Sequence, residues 1–119
     1  MGIQIFGTNK SFDTKKTERW FSERRIQVHL VSLKDKGISV AELESVINCL
    51  AKETGSKEEA LQLVIDKNAK DYSLVAYLDE SDKFNKLLEN PMLLRQPIVR
   101  NGKNDATVGF CPEIWTNWL

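Results

Sequence analysis

Cysteine, histidine and proline are scarce in this chain, and each scarcity removes a class of function. Its 119 residues include two cysteines, one histidine and three prolines. Cys49 and Cys111 alone make no disulfide framework and have no metal-ligand spacing, so no metal site is expected, and a reducing cytoplasm is the simplest setting. The single histidine, His29, falls inside a predicted strand, where it reads as a packed or edge residue and not as a base for a serine nucleophile. No apolar run approaches the roughly 20 residues of a membrane span. No apolar stretch of signal-peptide type follows the N-terminus. Met1-Gly2 does not open a myristoylation motif, because Phe6 stands where Ser or Thr is wanted. Charge of one sign is missing too. Lys plus Arg and Asp plus Glu number 17 each, so nothing global favours nucleic acid or membrane. What remains, with 41% hydrophobic residues, is the composition of an ordinary globular chain. The expectation is a single domain over residues 1–119, monomeric and cytoplasmic.

The charge is unevenly placed. Residues 1–36 carry eight basic and four acidic groups, whereas residues 37–91 carry six and eleven. The basic end surrounds the stretch FGTNKSFDTKK, residues 6–16, where an Ile/Phe-rich run feeds a polar turn and a helical pattern begins. Lys10, Lys15 and Lys16 around that turn read either as a solvated face or as a cationic pocket beside a helix start.

Residues 3–6 predict a buried strand, 13–25 a helix capped by Ser11 or Asp13, and 27–31 a second strand. That order is a βαβ unit, which requires parallel strands and a right-handed crossover. Ser39 and Glu42 form a capping box with Ile38 and Leu43 at the staple positions. Leu43, Val46, Ile47 and Leu50 follow at helical spacing, with Cys49 on the same apolar face, and Thr54-Gly55 ends the run. Ser56 and Glu59 repeat the start signal, and Leu61, Val64 and Ile65 continue a helix. Residues 72–78 are apolar and ambiguous between helix and strand, and 80–89 predict a helix stopped by Asn90-Pro91. Residues 97–100 and 106–110 predict an antiparallel hairpin turning at Asn101-Gly102. Pro112 opens a last helix with Ile114, Trp115 and Trp118 as packing residues. The sum is a small mixed sheet with helices on its faces.

Three stretches resemble a known family. IQIFGTNKSFDTKKTERWF, LLENPMLLRQPIVRNGK and VGFCPEIW resemble the bacterial arsenate reductase (ArsC)/Spx family of glutaredoxin-related proteins. The resemblance implies an α/β, thioredoxin-like fold: a small mixed four-stranded sheet with flanking helices and a helical insertion over about residues 38–90. It also implies that residue 11 holds the nucleophile position, occupied in the family by cysteine. Asn9, Lys10, Lys15, Arg95, Gln96 and Pro97 would border the site, with Pro97 preceded by a cis bond; Cys111 reads either as a small buried apolar side chain or, on the resemblance, as a resolving thiol.

A thiolate at a helix N-terminus meets unpaired N–H groups, the positive dipole end and nearby lysines, which lower a thiol pKa from ~8.5. A serine hydroxyl stays protonated there without an adjacent base. Ser11 therefore reads as a helix cap, compatible with either a natural loss of the thiol or an engineered Cys-to-Ser replacement.

Relatives that reduce arsenate resemble one another in a set of arginines around the oxyanion, which this chain lacks. VIDKNAKDY contains none, Gln96 stands directly before Pro97 with Arg95 one place earlier, and Cys111 takes the position after the hairpin. Thr14 stands where Spx members carry the second cysteine of C-x-x-C.

The implied function is an arsenate reductase-like thiol oxidoreductase type, inactive with serine at 11. The substrate would be a small oxyanion or a thiol/disulfide. Glutathione or glutaredoxin would be the reductant, and no cofactor would be bound. The alternative is a non-catalytic, Spx-like regulator that contacts RNA polymerase.

Overall fold

The computed structural model describes residues 2–119. Strand β1 (Ile3–Gly7) runs parallel to β2 (Val28–Ser32), with Ile3 opposite Val28 and Gly7 opposite Ser32. On its other side β1 pairs antiparallel with β3 (Ile98–Asn101), which pairs antiparallel with β4 (Asp105–Val108). The sheet order is β2-β1-β3-β4. The side-chain period of two sends Ile3, Ile5 and Val99 to one face and Phe6 and Ile98 to the other.

Each face has its own core. On the first, α1 (Phe12–Glu23) and α5 (Pro112–Thr116) bring Trp20, Phe21 and Trp115 onto Ile3, Ile5 and Val99. On the second, α2 (Val40–Thr54), α3 (Lys57–Val64) and α4 (Glu80–Glu89) pack around Phe6 and Ile98. Helices on both faces of a small mixed sheet match the sequence expectation, and the insertion supplies the second layer. Among the described residues, no helix is long and apolar enough to cross a membrane.

The capping box forms as read. The Glu42 N–H donates to Ser39 Oγ at 3.1 Å, and the Ser39 N–H donates to Glu42 Oε1 at 3.0 Å. Gly55 closes α2 at φ 100°, a conformation that favours glycine. The Glu42 carboxylate also accepts from Gln4 Nε2 at 3.3 Å and lies 4.0 Å from Arg100 Nη1. Burial alone would raise this carboxyl, but the Ser39 and Gln4 hydrogen bonds and the Arg100 charge outweigh it and hold it below its usual value. A carboxyl depressed in the folded state stabilises fully above its unfolded pKa, and that contribution is lost as pH falls through the lower folded value. Glu42→Gln should therefore lower the urea midpoint at neutral pH. The two proteins should converge as pH is lowered past the ordinary glutamate range; a gap independent of pH would exclude this role.

Gly7 ends β1 where α1 crosses it. A Cβ at this position would sit 2.7 Å from Thr14 Cγ2 and clash with Thr14 Oγ1 as well. Thr14 is only 3% exposed and has little room to move. Gly7→Ala should cost ~1–3 kcal/mol as overpacking, read as a lower midpoint at constant denaturant slope. Adding Thr14→Ala should recover most of the loss. An unchanged midpoint for Gly7→Ala would refute the close approach of helix and strand.

Five boundaries depart from expectation. First, α1 stops at Glu23, not 25, because Arg25 turns left-handed at φ 58°. The Arg25 N–H then donates to Ser22 O and the Ile26 N–H to Phe21 O, both at 3.0 Å, a Schellman closure without glycine. Second, Ile65 leaves the helix and bridges to Leu94, flanked by hydrogen bonds from the Arg95 N–H to Val64 O and from the Asp66 N–H to Leu93 O. Third, residues 72–78 are neither α-helix nor strand: a 3₁₀ turn at Tyr72–Leu74 buries Val75 and leaves Tyr77 96% exposed. Fourth, β3 runs through Asn101, so the turn is 102–104, and β4 ends at Val108 because Gly109 takes φ 83°. Fifth, Ile114 faces outward at 39% exposure, and Phe110 packs on Trp115 instead.

Candidate functional site

β1 delivers the chain into the turn Thr8–Ser11. The Ser11 N–H donates to Thr8 O at 3.2 Å, and Ser11 O accepts from the Lys15 N–H at 3.2 Å. Its Oγ accepts from the Thr14 N–H at 3.2 Å, which makes Ser11, and not Asp13, the N-cap of α1. With φ −82° and ψ 120° the residue is half-buried in extended backbone at the helix mouth. The N–H groups of Phe12 and Asp13 at the first two helical positions have no carbonyl one turn back, so the positive end of the helix lies beside side chain 11.

The opposite wall comes from the far end of the sequence. The Arg95 N–H donates to Val64 O at 2.7 Å and the Asp66 N–H to Leu93 O at 2.8 Å, which anchors the approach to Pro97 on the end of α3. The Gln96–Pro97 peptide is cis, as the resemblance implied, and Pro97 is buried. Gln96 Oε1 accepts from the Thr8 N–H at 2.8 Å and from the Thr8 hydroxyl at 2.9 Å. Ser11, Thr8, Gln96 and Pro97 are thus joined by consecutive hydrogen and peptide bonds. Thr8, 8% exposed, is the residue the sequence reading missed. Its partner is 88 positions away, and no local pattern signals such a pair.

The remaining candidates divide. Asn9, Lys10 and Lys15 are exposed around the turn. Asn9 edges a groove of about 350 Å³ shared with Thr8, Thr14 and Ser32. Lys16 lies with its ammonium 4.3 Å over the Phe110 ring, so α1 touches the residue before Cys111. Arg95 is exposed: its Nη1 donates to Leu63 O at 3.3 Å, and its Nη2 flanks Gly109, two residues before Cys111. Arg100 donates to Gln4 Oε1 at 2.8 Å on the α2 face.

Cys111 is half-buried at the N-cap of α5, and its Sγ–H donates to Val108 O at 3.3 Å. Burial pushes this thiol up and Glu113 adds to the shift, with Arg95 opposing it in part, so it stays protonated at neutral pH. Cys49 is buried and donates to Lys103 O at 3.4 Å; burial raises its thiol as well. His29 is exposed on the edge strand opposite Gln4, well down the sheet from the turn. Among the described residues, no group of three His, Cys, Asp or Glu side chains could hold a metal ion.

Parallel β1 and β2 joined through α1, a polar turn at the helix mouth and an antiparallel hairpin entered through a cis-proline define a thioredoxin-like protein. The chain belongs to the ArsC family, whose model matches residues 7–117. Among solved structures, it is similar to an arsenate reductase from Vibrio cholerae, with 20% identity, TM-score 0.81, and 100% and 98% of the two chains covered. It is also similar to a Bacteroides fragilis protein described as ArsC family related, with 19% identity, TM-score 0.82 and the same coverage. These likenesses carry the fold. No curated protein matches the sequence.

Proposed function

We propose that residue 11 marks a thiol-reductase pocket whose nucleophile position is held by serine, and that the chain as it stands does not carry out the reduction. The observation behind this reading is the cap itself. Ser11 Oγ accepts from the Thr14 N–H, and the only histidine lies down the edge strand, so no base activates the alcohol. The surroundings favour a thiolate: a free helix end, with Lys10 and Lys15 exposed beside it.

With cysteine at 11, the thiolate attacks one sulfur of a disulfide. The S–S bond breaks, the departing thiolate takes a proton, and a mixed disulfide remains on residue 11. One glutathione thiol releases the bound half as a thiol, and a second frees residue 11 and leaves as oxidised glutathione. Cys111, protonated and hydrogen-bonded to Val108 O, would resolve the mixed disulfide only after losing its proton.

The test is turnover of a small mixed disulfide with glutathione. The Ser11 chain should match the uncatalysed rate, and Ser11→Cys should exceed it. Equal rates for both would remove the reductase reading.

A second reading, a non-catalytic regulator that binds a protein partner such as RNA polymerase, draws on one feature. Phe12 is 74% exposed directly beside Ser11, among Lys10, Lys15 and Lys16. Co-purification of polymerase with the Ser11 chain, lost on Phe12→Ser, would favour this reading.

A further inference from the structure

The two donors of Thr8 that face Gln96 decide what the pocket can accept. A backbone N–H only donates, so the Gln96 carboxamide must turn its oxygen toward Thr8. That oxygen takes both the N–H at 2.8 Å and the hydroxyl at 2.9 Å. The partially negative oxygen is thus held by two converging donors of Thr8, whose own carbonyl accepts from the N-cap residue of α1.

Resting on the reading of residue 11 as the reactive position, we infer that Gln96 is a positioning residue that seals this oxyanion seat and restricts the pocket to disulfide sulfur. An entering tetrahedral anion would have to displace Gln96 from Thr8. The Nη1 donors of Arg95 and Arg100 are already occupied, by Leu63 O and by Gln4 Oε1. A disulfide sulfur is uncharged and needs no such donors. Phe12, exposed next to Ser11, offers apolar surface to the group attached to that sulfur. The same two bonds hold the Thr8–Ser11 turn against the loop before Pro97, so sealing and positioning are one function.

The test uses the Ser11 chain and inorganic sulfate and arsenate, followed through the amide resonances of Thr8 and Ser11. The parent chain should bind either anion only weakly. Gln96→Ala, checked by circular dichroism for folding, should bind either anion at least about tenfold more tightly, because two donors are released. Gln96→Ser, also too short to reach Thr8, serves the same purpose if the alanine variant does not fold. Gln96→Glu keeps both hydrogen bonds and adds a charge, so it should show no anion binding. Placed with Ser11→Cys, its charge should raise the residue-11 thiol pKa. Anion binding by the parent chain as tight as that of a shortened variant would overturn the inference, as would a folded shortened variant with no gain. Neither outcome depends on thiol chemistry, so the inference and the reductase reading fail separately.

Discussion

Replacing Trp115 with alanine is expected to lower folding stability by ~3–5 kcal/mol. The side chain is fully buried, with ring centroids 5.1 Å from Phe21, 5.4 Å from Trp20 and 5.5 Å from Phe110. Its Nε1–H donates to Thr107 Oγ1 at 2.8 Å, inside the core. Truncation therefore removes the keystone of the α1–α5 layer and also takes a hydrogen-bond partner from a buried hydroxyl. Against a total stability of ~5–15 kcal/mol, the variant would stand near the edge of unfolding. Trp115→Phe keeps much of the aromatic packing and loses the N–H, so it should fall between the two, at ~1–3 kcal/mol. Urea unfolding followed by circular dichroism gives the order. A loss below ~1 kcal/mol for the alanine variant would mean that α5 is not docked on the sheet. The consequence reaches the site, because α5 begins at Cys111 and Phe110 meets Lys16 of α1.

Ser11→Cys is expected to create the most reactive thiol in the chain. Cys49 and Cys111 are internal controls whose thiols are pushed up by burial. A thiol with a pKa near 8.5 is ~3% ionised at pH 7, whereas one brought to ~6.5 is about 75% ionised. The intrinsic nucleophilicity of the lower-pKa thiolate falls in part, so the net gain in alkylation rate should be several-fold. Against Cys49 and Cys111 it should exceed tenfold, with access adding to ionisation. Iodoacetamide labelling at neutral pH, mapped by mass spectrometry, reads all three positions in one sample. Labelling at 11 no faster than at 111 would contradict the helix-end environment.

Much of this was visible in the residues themselves, and the losses have definite causes. The capping box at Ser39 and Glu42 places the start of α2 because its signal is local and reciprocal. The βαβ opening and the hairpin follow from side-chain period and turn residues. The end of α1 was missed because Arg25, not glycine, adopts the left-handed closing conformation, so composition held no stop signal. Ile65 carries a helical signal in the sequence because the competing partner, Leu94, lies far along the chain. The site divides in the same way. Ser11 as a cap is legible within four residues, and the cis bond before Pro97 follows from the family resemblance. The Thr8–Gln96 clasp is a tertiary pairing that no spacing announces, and the hydrogen bond from Arg95 to Leu63 O depends on where the end of α3 presents a carbonyl.

The most direct measurement is the absorbance titration of the residue-11 thiolate in a Ser11→Cys protein with Cys49 and Cys111 replaced by alanine and valine. A midpoint clearly below the ordinary ~8.5 is predicted, from the open helix end and the neighbouring lysines. A midpoint at or above that value, in a protein whose fold is intact, would mean that the mouth of α1 is not shaped to hold a charged sulfur.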